Sequence, residues 1–503
     1  MPLPLRPLLL AVLLALAVPA AATAAADSEV GIEDERLVLS EPNRTAATVA
    51  AWKAIGVDTV RIHAQWFRVS PGVTSKRRPP GFDPANHRSR GYDWAILDQG
   101  IGLVRGAGMR VMLTVTGPPP LWASGDPRKR NERFKPDPKG YGRFARAVAT
   151  RYGALVDRYL LWNEPNQAGW LQPQNTCRGK GKRRRCEHTA PHVYRDLVRA
   201  AGPQIERADP GAQVLIGELA PIGSKPTGEG SPIKPLAFLR AMGCVDARHL
   251  PLRDGECRGF RPARGDAFGY HPHGVSNSPD RSNPDRDSAQ IADLPRLQRT
   301  LDRLTRRGRI GSPGRRPFDL YLTEFSYQTS PPDKVVGISL SKQAVYQQQA
   351  AYIAWRNPRV RNLTQYQWED EGVRNLGSGS RRYAGWQGGL RFLDGRPKPA
   401  LAAFTSPFVA DVSEDGSSAL LWGQIRPGGA YDVTLQRAPL EGGSFAPVEV
   451  IRSSPSGIFA RRVELEGPDR WTATWTDPLA GVRRTAVVPV DPGEGPRVLA
   501  AVP

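Results

Sequence analysis

The chain has 503 residues, 40% of them hydrophobic and 8% aromatic, and a formal net charge of +21. That length predicts two or three domains, and the ordinary composition excludes collagen-like and disordered classes. The charge raises nucleic acid as a partner, but the Lys and Arg residues are spread along the whole chain with no nucleic-acid motif beside them, so nucleic acid is not expected.

The first 26 residues read as a secretory signal peptide. Arg6 supplies the positive start, 8–18 the apolar stretch, and the alanine-rich run 21–26 the cleavage region. The rival reading, an uncleaved anchor, meets an apolar run shorter than the ~20 residues of a membrane span. No later segment is apolar enough to cross a bilayer, so stable membrane insertion is not expected after cleavage, and the protein reads as extracellular.

From 27 to 408, short apolar runs alternate with helical patterns, which predicts βα units and a parallel sheet. Strands are expected near 30–32, 59–63, 110–116, 159–162, 213–217, 267–270, 319–323 and 363–368. Amphipathic helices are expected at 94–107, 141–152, 192–208, 291–307 and 341–355. Gly56, Gly108 and Gly308 follow helical patterns as C-terminal caps. Eight such units predict an α/β fold, the (β/α)8 TIM barrel with long loops.

The four cysteines, Cys177, Cys186, Cys244 and Cys257, suit disulfides in an exported chain. Nearest-neighbour pairing gives Cys177–Cys186 and Cys244–Cys257; a zinc site is the rival, without the usual C-x2-C spacing. The first of these loops holds Arg178, Lys180, Lys182, Arg183, Arg184 and Arg185. It reads either as a solvated hairpin tip or as a recruiter of acidic glycan. From 409 to 490, short alternating segments separated by Gly- and Pro-rich turns predict a small all-β sandwich, and 491–503 a loose tail.

In a TIM barrel the chemistry gathers at the C-terminal ends of the strands. Two acidic residues end strands outright: Glu164 after Y-L-L-W-N, and Glu324 after D-L-Y-L-T. Strands four and seven face each other across a closed eight-stranded barrel. Two carboxyls flanking one bond are what glycoside hydrolysis requires. Glu218 also ends a strand, and reads as a subsite or structural residue. Glu369, Asp370 and Glu371 read as a solvated acidic run.

With W-N-E-P at 162–165 and a strand-ending Glu324, the stretch from about 31 to 408 resembles glycoside hydrolase clan A, in particular its cellulase-like families 5 and 39. The resemblance implies that Glu164 is the acid/base, Glu324 the nucleophile, and Asn163 the partner of a sugar 2-hydroxyl. It further implies that Arg61 supports the nucleophile, that Trp122 forms a substrate wall, that His271 is a binding residue, and that Trp368 is the platform under the sugar. His273 stands where a Tyr is common, so the resemblance does not supply the tyrosine that hydrogen-bonds the nucleophile. The stretch 385–400 looks like the closing segment of such barrels.

The expectation is therefore a secreted retaining glycoside hydrolase acting on a poly- or oligosaccharide by double displacement. It needs no cofactor and no metal. Its partner is a carbohydrate, in one reading an acidic glycan. The alternative is a noncatalytic glycan-binding protein on the same scaffold. His271 and His273 read as sugar-binding residues; as metal ligands they lack an evident third ligand.

Overall fold

The computed structural model describes residues 28–495 and 497–501, so the expected signal peptide lies outside the described residues. The expected alternation is realised as eight parallel strands: β1 (Glu29–Glu33), β2 (Thr59–Gln65), β3 (Arg110–Thr116), β4 (Arg158–Leu161), β5 (Gln213–Leu219), β6 (Ala267–Tyr270), β7 (Leu320–Phe325) and β8 (Val360–Tyr366). They close in the order β1-β8-β7-β6-β5-β4-β3-β2. A helix follows each strand: α1 (Pro42–Ala54), α2 (Ala95–Gly106), α3 (Pro138–Tyr152), α4 (Ala190–Ala208), α5 (Pro235–Met242), α6 (Leu294–Arg306), α7 (Leu340–Arg356) and α8 (Pro399–Thr405).

Strand alternation explains the layering. In β2, Val60, Ile62 and Ala64 join the main core, while Arg61 and His63 face the interior with buried polar partners. Within the barrel, Met112, Leu160, Leu215, Ala267 and Tyr321 form a separate apolar plug. Below it Arg158 pairs with Glu29 at 2.7 Å and lies over the Tyr321 ring. Above it the charged mouth begins. Space inside is tight at Gly31, where an added Cβ would fall 2.3 Å from Thr364 Oγ1 and 3.0 Å from its Cα.

After α8 the chain builds two antiparallel sheets. The first joins β9 (Phe408–Val412), β10 (Ser418–Gln424), β13 (Ile458–Glu464) and β17 (Val498–Ala500); the second joins β11 (Asp432–Pro439), β12 (Ala446–Arg452), β14 (Asp469–Asp477) and β15 (Gly481–Arg484), with β16 (Val488–Val490) on β14. Phe408, Leu421, Leu435, Phe459, Trp471 and Val488 fill their shared core.

Two expectations change here. The supposed tail contains β17, which pairs with β9 in the register Val409↔Ala500. Its backbone also accepts from α7: Gln348 Nε2 donates to Ala501 O and Gln349 Nε2 to Val498 O, each at 2.6 Å. The acidic run after β8 is not solvated at Glu369 and Asp370. Asp370 meets buried Lys398 at 2.7 Å and Glu369 meets Arg44 at 2.7 Å, so each buried charge has a cationic partner. The cysteines form the disulfides Cys177–Cys186 and Cys244–Cys257, which removes the zinc reading. Among the described residues no helix is long and apolar enough to cross a membrane.

Candidate active site

The C-terminal ends of β1, β4, β5 and β7 converge on the buried guanidinium of Arg61, in β2. Arg61 Nη1 donates to Glu324 Oε1 at 2.7 Å and also meets Glu33. Its Nε lies 2.9 Å from Glu218 Oε1, and its Nη2 donates to Asn163 Oδ1 at 2.6 Å. The bond through Oδ1 leaves the Asn163 Nδ2 donors available to the pocket that Asn163 lines. Burial opposes the charge on Arg61, but Glu218, Glu33 and Glu324 outweigh it and hold the guanidinium firmly protonated.

His271 is the second hub. Its Nδ1 lies 3.2 Å from Glu164 Oε1 and 3.5 Å from Glu324 Oε1. The two carboxylate oxygens are thus no further apart than those two lengths laid end to end. Glycosidase carboxyl pairs of both the retaining and the inverting kind flank one bond at such short range. Burial works against the His271 cation; Glu324 and hydrogen bonds to Glu164 and Glu218 overcome it and lift its pKa to about 10. Glu324 is desolvated, yet His271, Arg61 and a hydrogen bond from His273 drive its carboxyl far below the usual range.

His273 reaches the other oxygen of Glu324. The Ser326 N–H donates to His273 Nδ1 at 3.2 Å, which leaves the proton on Nε2, 3.1 Å from Glu324 Oε2. An imidazole donor therefore stands where the resemblance expects a phenol.

The mouth encloses a pocket of ≈ 310 Å³ whose wall includes Asn163, Glu164, His273 and Glu324. Arg61 and His271 are fully buried and absent from that wall, so both hold the carboxylates; for Arg61 this is the expected support of Glu324, whereas His271 was expected to touch the ligand. The backbone is unusual at Trp162, Glu164 and Glu218, with φ of 70°, 37° and 49°. Left-handed non-glycine residues of this kind concentrate at functional sites.

Neither expected tryptophan reaches the pocket wall. Trp122 donates from Nε1 to Pro71 O at 3.0 Å and packs edge-on against Trp66 and Phe82. Trp368 is 4% exposed in the core, with Arg391 over its ring at 4.8 Å. The chain leaves β8 at Tyr366, so strand alternation stops there and the inward position falls to Tyr366. The aromatic wall is instead Tyr366, Trp386 and Trp170. Trp386 is fixed by a 2.7 Å bond from Nε1 to Ser326 Oγ and packs on His273 at 4.9 Å between ring centroids.

Four polar wall residues escaped sequence reasoning: Glu33, Glu35, His63 and Gln167. Glu33 ends β1, and the strand-end test that found Glu164 and Glu324 applies to it equally. His63 lies one inward step beyond Arg61. Its Nδ1 is 2.7 Å from Glu35 and its Nε2 3.4 Å from Glu33. Burial disfavours its charge, but Glu35 prevails and its pKa rises. Burial raises Glu33 to about 7, against the pull of Arg61. Glu218 is desolvated too, but Arg61 and His271 keep it below the ordinary carboxylate range. It is wholly buried, which leaves it a structural rather than a subsite residue.

Two ligand triplets converge here, His271–His273–Glu324 and Glu33–His63–Glu324. Arg61 already sits on Glu33 and Glu324. The groups read as hydrogen-bonded ion pairs.

No family model and no curated protein matches the chain. Among solved structures it is similar to a glucosidase from Croceicoccus marinus, at 14% identity and a TM-score of 0.45, covering 86% of this chain and 82% of the other. It is similar to GH5_18 from Streptomyces cattleya in complex with GlcNAc, at 16% identity and a TM-score of 0.45, covering 76% and 79%. An endo-beta-1,4-mannanase from Thermotoga petrophila matches at 10% identity and a TM-score of 0.39, covering 95% and 98%. At these values the activity has to be argued from the site itself.

Proposed function

We propose that the protein is a secreted retaining glycoside hydrolase, with Glu164 as acid/base and Glu324 as nucleophile. The observation that carries this is the shared His271 Nδ1, which brings carboxylates from opposite strands into one sugar-sized pocket.

In the first step a Glu324 oxygen attacks the anomeric carbon as protonated Glu164 gives its proton to the departing glycosidic oxygen. In the second, Glu164 takes a proton from water, which displaces Glu324 and returns the sugar with its original anomeric configuration. Arg61, His271 and His273 favour the ionised nucleophile and surrender part of that stabilisation as the covalent bond forms. Asn163 presents amide donors to the ring, and Tyr366, Trp386 and Trp170 supply apolar faces suited to sugar C–H surfaces. Two disulfides fit an oxidising, extracellular setting.

The test is a panel of activated aryl glycosides, with the first-formed anomer followed by NMR. Retention is expected, with Glu324→Gln lowering kcat by about 10³-fold or more while the fold persists. Wild-type turnover by that variant, or an inverted product, removes the assignment.

A further inference from the structure

The hairpin that follows β4 carries a charge pattern that neither the fold nor the catalytic pocket explains. Its strands are Asn175–Arg178 and Arg185–His188, stapled by Cys177–Cys186. The register sets Arg178 directly opposite Arg185. Like charges in that position destabilise a strand pair. The turn between them adds Lys180, Lys182, Arg183 and Arg184, and Glu187 is the only acidic residue from 175 to 188.

Surface cations are commonly neutralised by nearby carboxylates. Arg178, Lys180, Arg183 and Arg184 are exposed and form no ion pair among the described residues. The Cys177–Cys186 staple ties these two strands together. The base of the hairpin is also fixed to the catalytic loop. Gln174 Nε2 donates to Pro165 O at 2.9 Å, one residue beyond Glu164, and to Leu171 O at 2.8 Å. Asn175 Nδ2 donates to Gly228 O and Ser231 O in the neighbouring β5 loop. The base of the cationic hairpin is thus anchored to the loop that carries Glu164.

We propose that this hairpin is a binding site for an anionic polysaccharide, gripping its carboxylate or sulfate groups. Arginine suits such groups through paired, planar N–H donors. The hairpin has no Phe, Tyr or Trp on which a nucleobase could stack, and its one imidazole, His188, is held at the base by Asn175 Oδ1 at 2.8 Å. Choosing a glycan over a nucleic acid rests on the glycosidase reading; the existence of an anion-binding hairpin does not.

Affinity electrophoresis of the full chain through polygalacturonate, heparin, uncharged galactomannan and duplex DNA tests it. The hairpin variant carries Arg178→Ser, Lys180→Ser, Arg183→Ser and Arg184→Ser. A control of equal charge carries Arg299→Gln, Arg306→Gln, Arg315→Gln and Arg316→Gln, all exposed on α6 and the segment after it. The hairpin variant is expected to lose about tenfold or more of its affinity for the acidic glycans. The control is expected to lose far less, with galactomannan bound by none and small aryl-glycoside turnover unchanged throughout. Equal losses in hairpin and control variants overturn the site, because binding then follows net charge alone. Tighter hairpin-dependent binding of DNA than of either glycan overturns the ligand class. A chain that grips acidic glycans through the hairpin yet hydrolyses nothing refutes only the glycosidase reading.

Discussion

His271 links the Glu164 and Glu324 carboxylates, and its charge makes the site sensitive to alkali. Burial opposes the imidazolium, but Glu324, Glu164 and Glu218 hold its pKa at about 10, against about 6.5 in an unfolded chain. A cation whose pKa is raised on folding contributes stability that is complete below about pH 6.5. That contribution is lost as the pH climbs through about 10. The melting temperature should therefore fall between pH 7 and 10, and His271→Gln should melt lower at pH 7 with a flatter profile over the same window. A parallel decline in variant and wild type would place the titration elsewhere. Glu33 acts the same way at lower pH: burial, opposed by Arg61, lifts it to about 7, so its contribution fades between about 4.5 and 7. At this scale Glu164 and Glu324 were legible because each interrupts an apolar strand at its end. Trp122 and Trp368 were misplaced because side-chain direction beyond a strand end is set by how the loop turns, which no local pattern encodes.

At the scale of elements, the barrel closes around a small apolar plug between two charged layers. Met112, Leu160 and Leu215 are fully buried in it. Met112→Ala should cost about 2–5 kcal/mol in urea unfolding, since the surrounding strands are hydrogen-bonded on both sides and have little room to collapse. A cost under about 1 kcal/mol would mean that the plug is loosely packed. The strands themselves were readable from sequence, because outward residues such as Val60, Ile62, Val111 and Leu113 must meet the helical layer. The bounds of β3 and β6 fall where expected, and other ends shift by one to three residues, as at β8, which spans Val360–Tyr366 rather than 363–368. The strand β9 and the closing β17 were not anticipated. β9 follows α8 after only Ser406 and Pro407 and merges with its apolar run, and the three residues of β17 are too few to show alternation.

Across the whole molecule, the sandwich is joined to the barrel through α7. Tyr352 of that helix packs against Trp422 and Val409, and Gln348 bonds both Phe408 and Ala501. Deleting 497–503 removes a strand edge and two side-chain anchors, and should lower the melting temperature by about 5 °C or more. Aryl-glycoside turnover at 25 °C should be unaffected, because these contacts lie away from the pocket. An unchanged melting curve would show that β17 braces nothing.

The sequence alone determined the barrel, the sandwich, the disulfide pairs and the two strand-ending glutamates. Each is written in a local pattern: apolar period, turn residues, cysteine spacing, or a charge at the limit of a strand. Only the tertiary structure decided which groups surround those glutamates. Arg61, His271, His273, Glu33 and Glu218 come from different strands, and closure of the barrel makes them neighbours. Their ionisation depends on shared burial and on charges far away along the chain, so it exists only once the barrel has closed.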